Sequence, residues 1–263
     1  MKTSISVLLL AALVTCLCVY APSLTAQEKK SQMYFVGCDV VNPYMDSKYD
    51  TTVKEQVALF DKYKWPYPFS VYATNDYCYY YLTPVKDFTE IGNSFKAAEE
   101  LIGKAGIEWK AIYAKFTGVV QSTTFSVFTF TPELSYTPAS PRLKQGEGNF
   151  VIIDEWYALV GKEEDFENHI KELVALMKKR NVTAEWDAFV GGLGTEQPLY
   201  AFAARDTNMA DFWAHNADMW KALGKEGGTL FDKLQACTRK HEWKFAWYQP
   251  ELSYTPKEKN QPK

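Results

Sequence analysis

The chain has 263 residues, of which 47% are hydrophobic and 23% charged, and its formal net charge at pH 7 is −3. These values are typical of a globular protein with one large domain or two small ones, and they argue against extensive disorder. A slightly acidic balance offers no basic surface, so we expect neither nucleic acid nor an anionic membrane as a partner. The aromatic fraction of 16% favours rich core packing or an aromatic-lined cavity.

The first 26 residues have the pattern of an export signal. A lysine precedes an apolar stretch over residues 5–20, and small residues lead to a cleavage site after Ala26. The stretch is shorter than the ~20 residues that a membrane-spanning helix needs. We therefore expect an exported protein, periplasmic or secreted, without a membrane span. A lipoprotein anchored at Cys16 is the weaker alternative, because threonine before the cysteine fits a lipidation signal poorly.

Removal of this signal leaves three cysteines, Cys38, Cys78 and Cys237. An odd number permits at most one disulfide within the chain, and the spacing matches no CxxC redox or metal motif. Buried free thiols are the simplest interpretation, above all for Cys78 in its apolar, tyrosine-rich stretch. Whether any two of the three form a disulfide stays open.

The chain contains an internal duplication, marked by the heptapeptide PELSYTP at Pro132–Pro138 and again at Pro250–Pro256. Residues preceding both copies align without a gap, and MYFVGCDVV from Met33 aligns with VIIDEWYAL from Val151. Two diverged copies of one unit therefore fill most of the chain. We predict a signal peptide at residues 1–26, repeat 1 at 33–138, a linker at 139–149, repeat 2 at 150–256 and a disordered tail at 257–263.

Each copy predicts the same order of elements. A first strand precedes a helix, whose apolar residues in the second copy recur at helical spacing: Phe166, Ile170, Leu173, Val174 and Met177. Two short strands follow around a turn, at Asn75-Asp76 in the first copy and at 191–194 in the second. A second helix and a last strand, with alternating Trp243, Phe245 and Trp247, complete the unit.

This β-α-β-β-α-β order is the plan of a ferredoxin-like domain. Both helices of such a domain cover one face of the sheet, and the other face needs a partner. The two apolar faces of the last strand of the first copy, residues 124–130, favour burial on both sides. We therefore predict an α+β fold in which two tandem ferredoxin-like repeats pack through their open sheet faces into an intramolecular dimeric α/β-barrel pseudo-dimer.

The duplicated unit, its aromatic last strand and the segment DFWAHNADMW at Asp211–Trp220 resemble the dimeric α/β-barrel superfamily. That superfamily includes antibiotic-biosynthesis-type monooxygenases, NIPSNAP-like and EthD-like domains and haem-degrading enzymes. Its haem-handling members place a ligand histidine on the second helix, which implies His215 as a candidate catalytic residue, either an axial ligand or a general base. The first copy has Ala97 at the aligned position, so this site would exist once per chain. A solvated helix surface is the competing interpretation of His215.

A dense cluster of tyrosines suggests a ligand-binding surface. If alternate side chains of the run from Tyr77 face the barrel interior, Tyr79 and Tyr81 would line a cavity together with Trp243 or Trp247. Such a cavity suits a flat apolar or aromatic ligand. Ordinary strand packing is the alternative.

Other chemistry has no support in the motifs. The three histidines lack HxH or HExxH spacing, which argues against a zinc site, and there is no GxSxG nucleophile motif and no phosphate-binding glycine pattern. We therefore expect no metal and no cofactor, with haem as an alternative. Since no polar constellation is recognisable, the sequence favours a non-catalytic binding or structural protein that holds a small apolar ligand. The alternative is a monooxygenase-like or haem-linked enzyme; a homo-oligomer is compatible with both.

Overall fold

The computed structural model describes residues 30–144 and 146–257. The predicted signal peptide and all but the first residue of the predicted tail lie outside these described residues. Within the described parts of the chain, no helix has both the length and the hydrophobicity of a membrane span.

Eight strands and five helices make up the described chain. The first half comprises β1 (Gln32–Val41), α1 (Asp46–Tyr63), β2 (Ser70–Thr74), β3 (Cys78–Val85), α2 (Phe88–Ala105), α3 (Ile107–Lys115) and β4 (Val120–Phe130). The second half comprises β5 (Phe150–Ala158), α4 (Glu163–Lys179), β6 (Asp187–Gly191), β7 (Leu199–Asp206), α5 (Met209–Ala236) and β8 (Thr238–Tyr248).

All eight strands belong to one closed antiparallel barrel, in the order β1-β3-β2-β8-β5-β7-β6-β4. Two ladders join the halves: Tyr72–Thr74 of β2 pairs with Ala246–Tyr248 of β8, and Phe128–Phe130 of β4 pairs with Phe189–Gly191 of β6. The predicted fold class, two tandem ferredoxin-like repeats that form an intramolecular dimeric α/β-barrel pseudo-dimer, is therefore wrong, because all eight strands belong to a single closed sheet. The edge strands of each half hydrogen-bond to the other half, because closure satisfies backbone groups that two separate sheets would leave unpaired.

Strand alternation divides the side chains between the barrel interior and the surrounding helices. On β3, Tyr79 belongs to the core beneath α1, together with Tyr49 and Val53 of that helix. The next residue, Tyr80, points the other way into the barrel, where its hydroxyl meets Lys244 of β8. In the second half, the apolar stripe of α4 packs on the outer face of β5 and β7 around Trp156.

The two PELSYTP segments each pack on the opposite half of the molecule. Leu134 and Tyr136 follow β4 but lie in the core beneath α4 and α5, where the Tyr136 hydroxyl donates to the Val182 carbonyl at 2.7 Å. Leu252 and Tyr254 follow β8 but lie in the core beneath α1. The duplicated heptapeptide therefore fastens each half to the other after its last strand.

Candidate functional site

A cavity of about 510 Å³ lies in the second half, between the outer face of the barrel and helices α4 and α5. This volume is within the range of ~300–1,000 Å³ that is usual for small-molecule sites. Aromatic side chains form much of its wall: Trp156, Phe202, Phe212, Trp213, Trp220 and Trp243. The cavity therefore suits a flat, largely apolar molecule.

The local sequence explains which side chains reach this cavity. Alternate residues of β5 face outward, so Ile152, Asp154 and Trp156 line the wall together. Opposite them, the side chain of Asn208 caps α5 by accepting from the Asp211 backbone N–H at 3.0 Å. The cap fixes the start of the helix, and His215 follows about two turns later on the face that lines the cavity.

His215 is anchored to a buried carboxylate at the end of β7. Its Nδ1 lies 2.9 Å from Oδ2 of Asp206, a side chain that is only 1% exposed. Arg142, from the segment between the halves, donates to both Asp206 oxygens at 3.1 and 2.8 Å, and the Thr207 backbone N–H donates at 2.7 Å. Three donors hold this acidic side chain as a carboxylate acceptor.

This arrangement selects one tautomer of the imidazole. Because a carboxylate only accepts hydrogen bonds, Nδ1 of His215 must carry the proton, and a neutral ring then has its lone pair on Nε2. Within the described part of the chain, Nε2 has no hydrogen-bond partner. Nε of Arg142 is likewise buried without a partner among those residues. The cavity thus offers the Nε2 lone pair of a neutral His215 as an acceptor to a bound molecule.

A second histidine–aspartate pair stands on the sheet wall. Nε2 of His241 contacts Oδ1 of Asp154, and its ring stacks on Trp156 with 3.9 Å between centroids. The indole nitrogen of Trp243 lies 2.9 Å from the same Nε2. The sequence-based reasoning found no role for His241, because Asp154 is 87 residues away in the chain. The sequence signal that could have placed Asp154 on this wall is its alternation with Ile152 and Trp156 along β5.

The predicted site residues do not converge. His215 and Trp243 line the same cavity. Trp247 packs outside it on Phe150, with 5.7 Å between ring centroids. Tyr79 and Tyr81 lie in the other half against α1, where the Tyr79 ring is 4.4 Å from that of Tyr49 and the Tyr81 hydroxyl is 2.7 Å from the Tyr49 hydroxyl. Their roles in ligand binding stay predictions.

The donors in this cavity fit some cofactors better than others. Among the described residues, no group of three or more His, Cys, Asp or Glu side chains is placed to hold a metal ion. Haem needs only one protein ligand, and a histidine oriented by a carboxylate through its other nitrogen is the usual form of that ligand. The Asp206–His215 pair therefore fits haem, and Arg142 offers a cationic group beside it.

Several solved structures share this fold, although no family model matches the chain and no curated protein is similar to it in sequence. An anthrone oxidase-like protein matches with a TM-score of 0.56 and 8% identity, over 84% of this chain and 93% of its own. A protein from Fusobacterium nucleatum described as a candidate monooxygenase matches with a TM-score of 0.51 and 10% identity, over 82% of this chain and 92% of its own. A heme-binding protein from Thermus thermophilus matches with a TM-score of 0.47 and 9% identity, over 85% of this chain and 95% of its own.

The two matches with TM-scores above 0.5 show that other proteins share this eight-stranded barrel fold, and at such low identity they show nothing about the reaction. The geometry of the site, in contrast, corrects one prediction from the sequence. The prediction of a non-catalytic binding or structural protein depended on the absence of a polar constellation. The structure instead places two histidine–aspartate pairs in one aromatic cavity. That prediction is therefore wrong, and the two pairs agree better with its alternative, a monooxygenase-like or haem-linked enzyme.

Proposed function

We propose that the chain is an oxygenase-type enzyme that deprotonates a planar aromatic substrate in the cavity of its second half. The observation that carries this proposal is the Asp206–His215 pair, which leaves Nε2 of His215 without a hydrogen-bond partner among the described residues, beside a cavity walled by aromatic rings. A base that works near neutral pH is a histidine in its neutral form, and the tautomer set by Asp206 supplies it.

In the proposed reaction, His215 Nε2 accepts a proton from an acidic hydroxyl or activated methylene of the substrate. The imidazolium that forms is stabilised by Asp206 through the Nδ1 hydrogen bond. The resulting aromatic anion is electron-rich and reacts with dioxygen. For a ring methylene the balance is R₂CH₂ + O₂ → R₂C=O + H₂O, so that dioxygen supplies the carbonyl oxygen and takes up four electrons.

The walls of the cavity have separate tasks in this scheme. Trp213 and Trp243, whose centroids are 5.3 Å apart, provide ring faces for the substrate. The apolar wall keeps bulk water from the anion. His241 on the sheet wall is the second group that can hold or return a proton.

A second candidate is supported by the same pair. An imidazole that donates its other N–H to a buried carboxylate is the arrangement found at metal-ligating histidines. In this alternative His215 would hold a haem, Asp206 would orient the imidazole and Arg142 would hold the Asp206 carboxylate in place. Bound haem would supply redox chemistry, whereas the chain would contribute the ligand and the apolar surroundings. We also keep three proposals from the sequence: that the chain is exported to the periplasm or beyond, that it belongs to a NIPSNAP-like, EthD-like or monooxygenase-type branch of the superfamily, and that it self-associates.

Two measurements on the same protein test the proposal. Dioxygen consumption with anthrone should be fast for the wild type and fall by about 100-fold or more in His215→Ala. His169→Ala, which changes an imidazole on α4 that contacts Glu172, is the matched control and should keep the wild-type rate. Equal rates in wild type and His215→Ala would refute the role of this histidine.

A haem titration followed by visible absorption distinguishes the two candidates. A Soret shift that is lost in His215→Ala supports the haem alternative. A spectrum of free haem, combined with anthrone-dependent dioxygen consumption, supports the cofactor-independent enzyme. If neither activity nor haem binding depends on His215, both candidates fail.

A further inference from the structure

The barrel interior holds a second group of reactive side chains, on the other side of the sheet from the cavity. Lys244 of β8 donates from Nζ to the Tyr80 hydroxyl at 2.9 Å and to Glu155 Oε1 at 3.2 Å. Both Lys244 and Glu155 follow a cavity-lining residue in the chain, so that their side chains point to the opposite face. Strands of both halves therefore meet at this cluster.

Two cysteines belong to the same interior face. In the β1–β3 ladder Cys38 lies directly opposite Tyr80, and Cys78 is two residues before Tyr80 on the same strand. Residues two apart on a strand share a face, which makes the cysteines diagonal neighbours. Cys38 is buried whereas Cys78 is partly accessible, and each thiol alters the pKa of the other.

The surroundings make the two thiols unequal. The neighbouring Cys38 thiol has the largest effect and lowers the pKa of Cys78; burial and the Asp76 carboxylate oppose this effect, and the Lys244 ammonium adds to it. The neighbouring Cys78 thiol and burial raise the pKa of Cys38. A thiolate is the reactive form of cysteine, so Cys78 is the nucleophile of the pair.

We propose that Cys38 and Cys78 form a redox-active pair that closes to a disulfide across β1 and β3. The Cys78 thiolate attacks a sulfur of an external disulfide and expels one thiolate, which leaves a mixed disulfide. Cys38 then loses its proton to solvent and attacks the Cys78 sulfur, and the second external thiolate leaves. Two electrons pass from the pair to the external disulfide, which is reduced to two thiols.

Closure requires a small movement of the strands. Diagonal residues of a ladder have Cα atoms about 7–8 Å apart, whereas a disulfide usually needs ~4.4–6.8 Å. Such a movement changes the surroundings of Tyr80, which lies directly opposite Cys38 in the ladder and bonds to Lys244. Oxidation of the pair therefore acts on the barrel cluster and leaves the Asp206–His215 pair in place.

The third described cysteine provides the internal control. Cys237 lies at the end of α5 in the second-half core and is only 6% exposed. It shares no ladder with Cys38 or Cys78, since it precedes β8 on the helical side of the barrel. We expect Cys237 to stay a free thiol under conditions that oxidise the pair.

Peptide mapping of the full chain tests the proposal. The reduced protein is incubated with oxidised glutathione, denatured without reductant, alkylated with iodoacetamide and digested with trypsin, which places Cys38, Cys78 and Cys237 on three different peptides. Mass spectrometry should show the Cys38 and Cys78 peptides joined and the Cys237 peptide alkylated. In Cys38→Ser, glutathione should stay attached to Cys78, whereas in Cys78→Ser the Cys38 peptide should be alkylated without glutathione.

Two results would overturn the proposal. One is alkylation of both Cys38 and Cys78 after incubation with oxidised glutathione at a pH where free cysteine reacts. The other is a link from either of them to Cys237 in place of the link between them. Since the experiment does not involve anthrone, haem or His215, its outcome is independent of the proposed enzyme activity.

Discussion

The two halves of the barrel share a scaffold but differ at the positions that carry chemistry. In the ladders, Val85 opposite Met33 in the first half corresponds to Asp206 opposite Phe150 in the second. The aligned helices place Ala97 in the first half where the second has His215. The first half thus lacks both members of the pair that the proposed reaction needs.

The space beside these positions differs as well. In the first half, Phe35 stacks on Phe125 with 5.3 Å between centroids, and a Cβ on Gly37 would meet the Phe125 ring at 3.5 Å. In the second half, the equivalent positions of β5 are Ile152 and Asp154, which line the cavity. In the first half, aromatic rings fill the space that stays open in the second half beside Ile152 and Asp154. A few residue differences therefore distinguish the half with the cavity from the half in which aromatic rings occupy the equivalent space.

The largest expected effect follows from changing the residue that sets the His215 tautomer. Asp206→Asn replaces an acceptor by an amide that can also donate, so that Nδ1 no longer has to carry the proton. We expect turnover of anthrone to fall by about 10²–10⁴-fold, measured as dioxygen consumption. Asp218→Asn changes an exposed carboxylate on the helix that carries His215, and it should leave turnover unchanged. Equal losses in the two variants would contradict the assigned tautomer.

The next effect concerns stability at equivalent positions of the two halves. Asp206→Ala removes the partner of Arg142 and leaves a guanidinium that is 23% exposed, and it should lower the free energy of unfolding by about 3 kcal/mol. Val85→Ala, at the equivalent ladder position, removes two buried methyl groups and should cost about 1.5 kcal/mol. Urea unfolding compares them. A smaller loss in Asp206→Ala than in Val85→Ala would show that the ion pair does not stabilise the fold.

The barrel interior, which both halves share, gives a pH dependence. Burial, and then the Glu155 carboxylate, raises the pKa of Tyr157 to about 12. Because its pKa is ordinarily ~10, the neutral side chain stabilises the fold fully below pH ~10, and this contribution is lost as the pH rises through 12. Urea unfolding between pH 9 and 12 should show this loss, and Tyr157→Phe should weaken it. Tyr113→Phe, at an exposed position, should retain the wild-type profile.

The smallest effect is expected in the first-half core. Tyr49→Phe removes a hydroxyl that donates to Asp39 at 2.7 Å and lies 2.7 Å from the Tyr81 hydroxyl. This should lower the free energy of unfolding by about 1 kcal/mol and leave dioxygen consumption unchanged. A loss of activity without a loss of stability would mean that the first half contributes to the site.

The residue pattern predicted part of this arrangement, and the limits of the rest are physical. The stripe of α4 and the duplication are local or repeated signals, and the candidate His215 came from resemblance. Which strand edges pair between the halves depends on backbone hydrogen bonds that side-chain periodicity does not report. The sequence alignment of the first strands was also wrong by one residue, because it placed Val36 over Asp154. In the structure Gly37 pairs with Phe125, and Asp154 pairs with Trp243, the residue aligned with Phe125, so that Gly37 is the equivalent of Asp154.

A period of two leaves the facing direction of a strand undecided, and this explains the tyrosines. On β3 the side chains of Tyr79 and Tyr81 face α1, whereas that of Tyr80 faces the barrel interior. The sequence does not show which face of the strand α1 covers. Arg142 and Asp154 escaped notice for a related reason. Asp154 meets His241, and Arg142 meets Asp206, across a large separation in sequence, and no local spacing signals these contacts.

The most direct test of the claim that the second half alone carries the site is the dissociation constant for anthrone, measured by tryptophan fluorescence. Trp213→Ala removes a ring of the cavity wall and should weaken binding by about tenfold. Phe95→Ala changes the aligned ring of the first half and should leave the dissociation constant unchanged. Weaker binding in Phe95→Ala, together with wild-type binding in Trp213→Ala, would place the site in the first half and contradict the account.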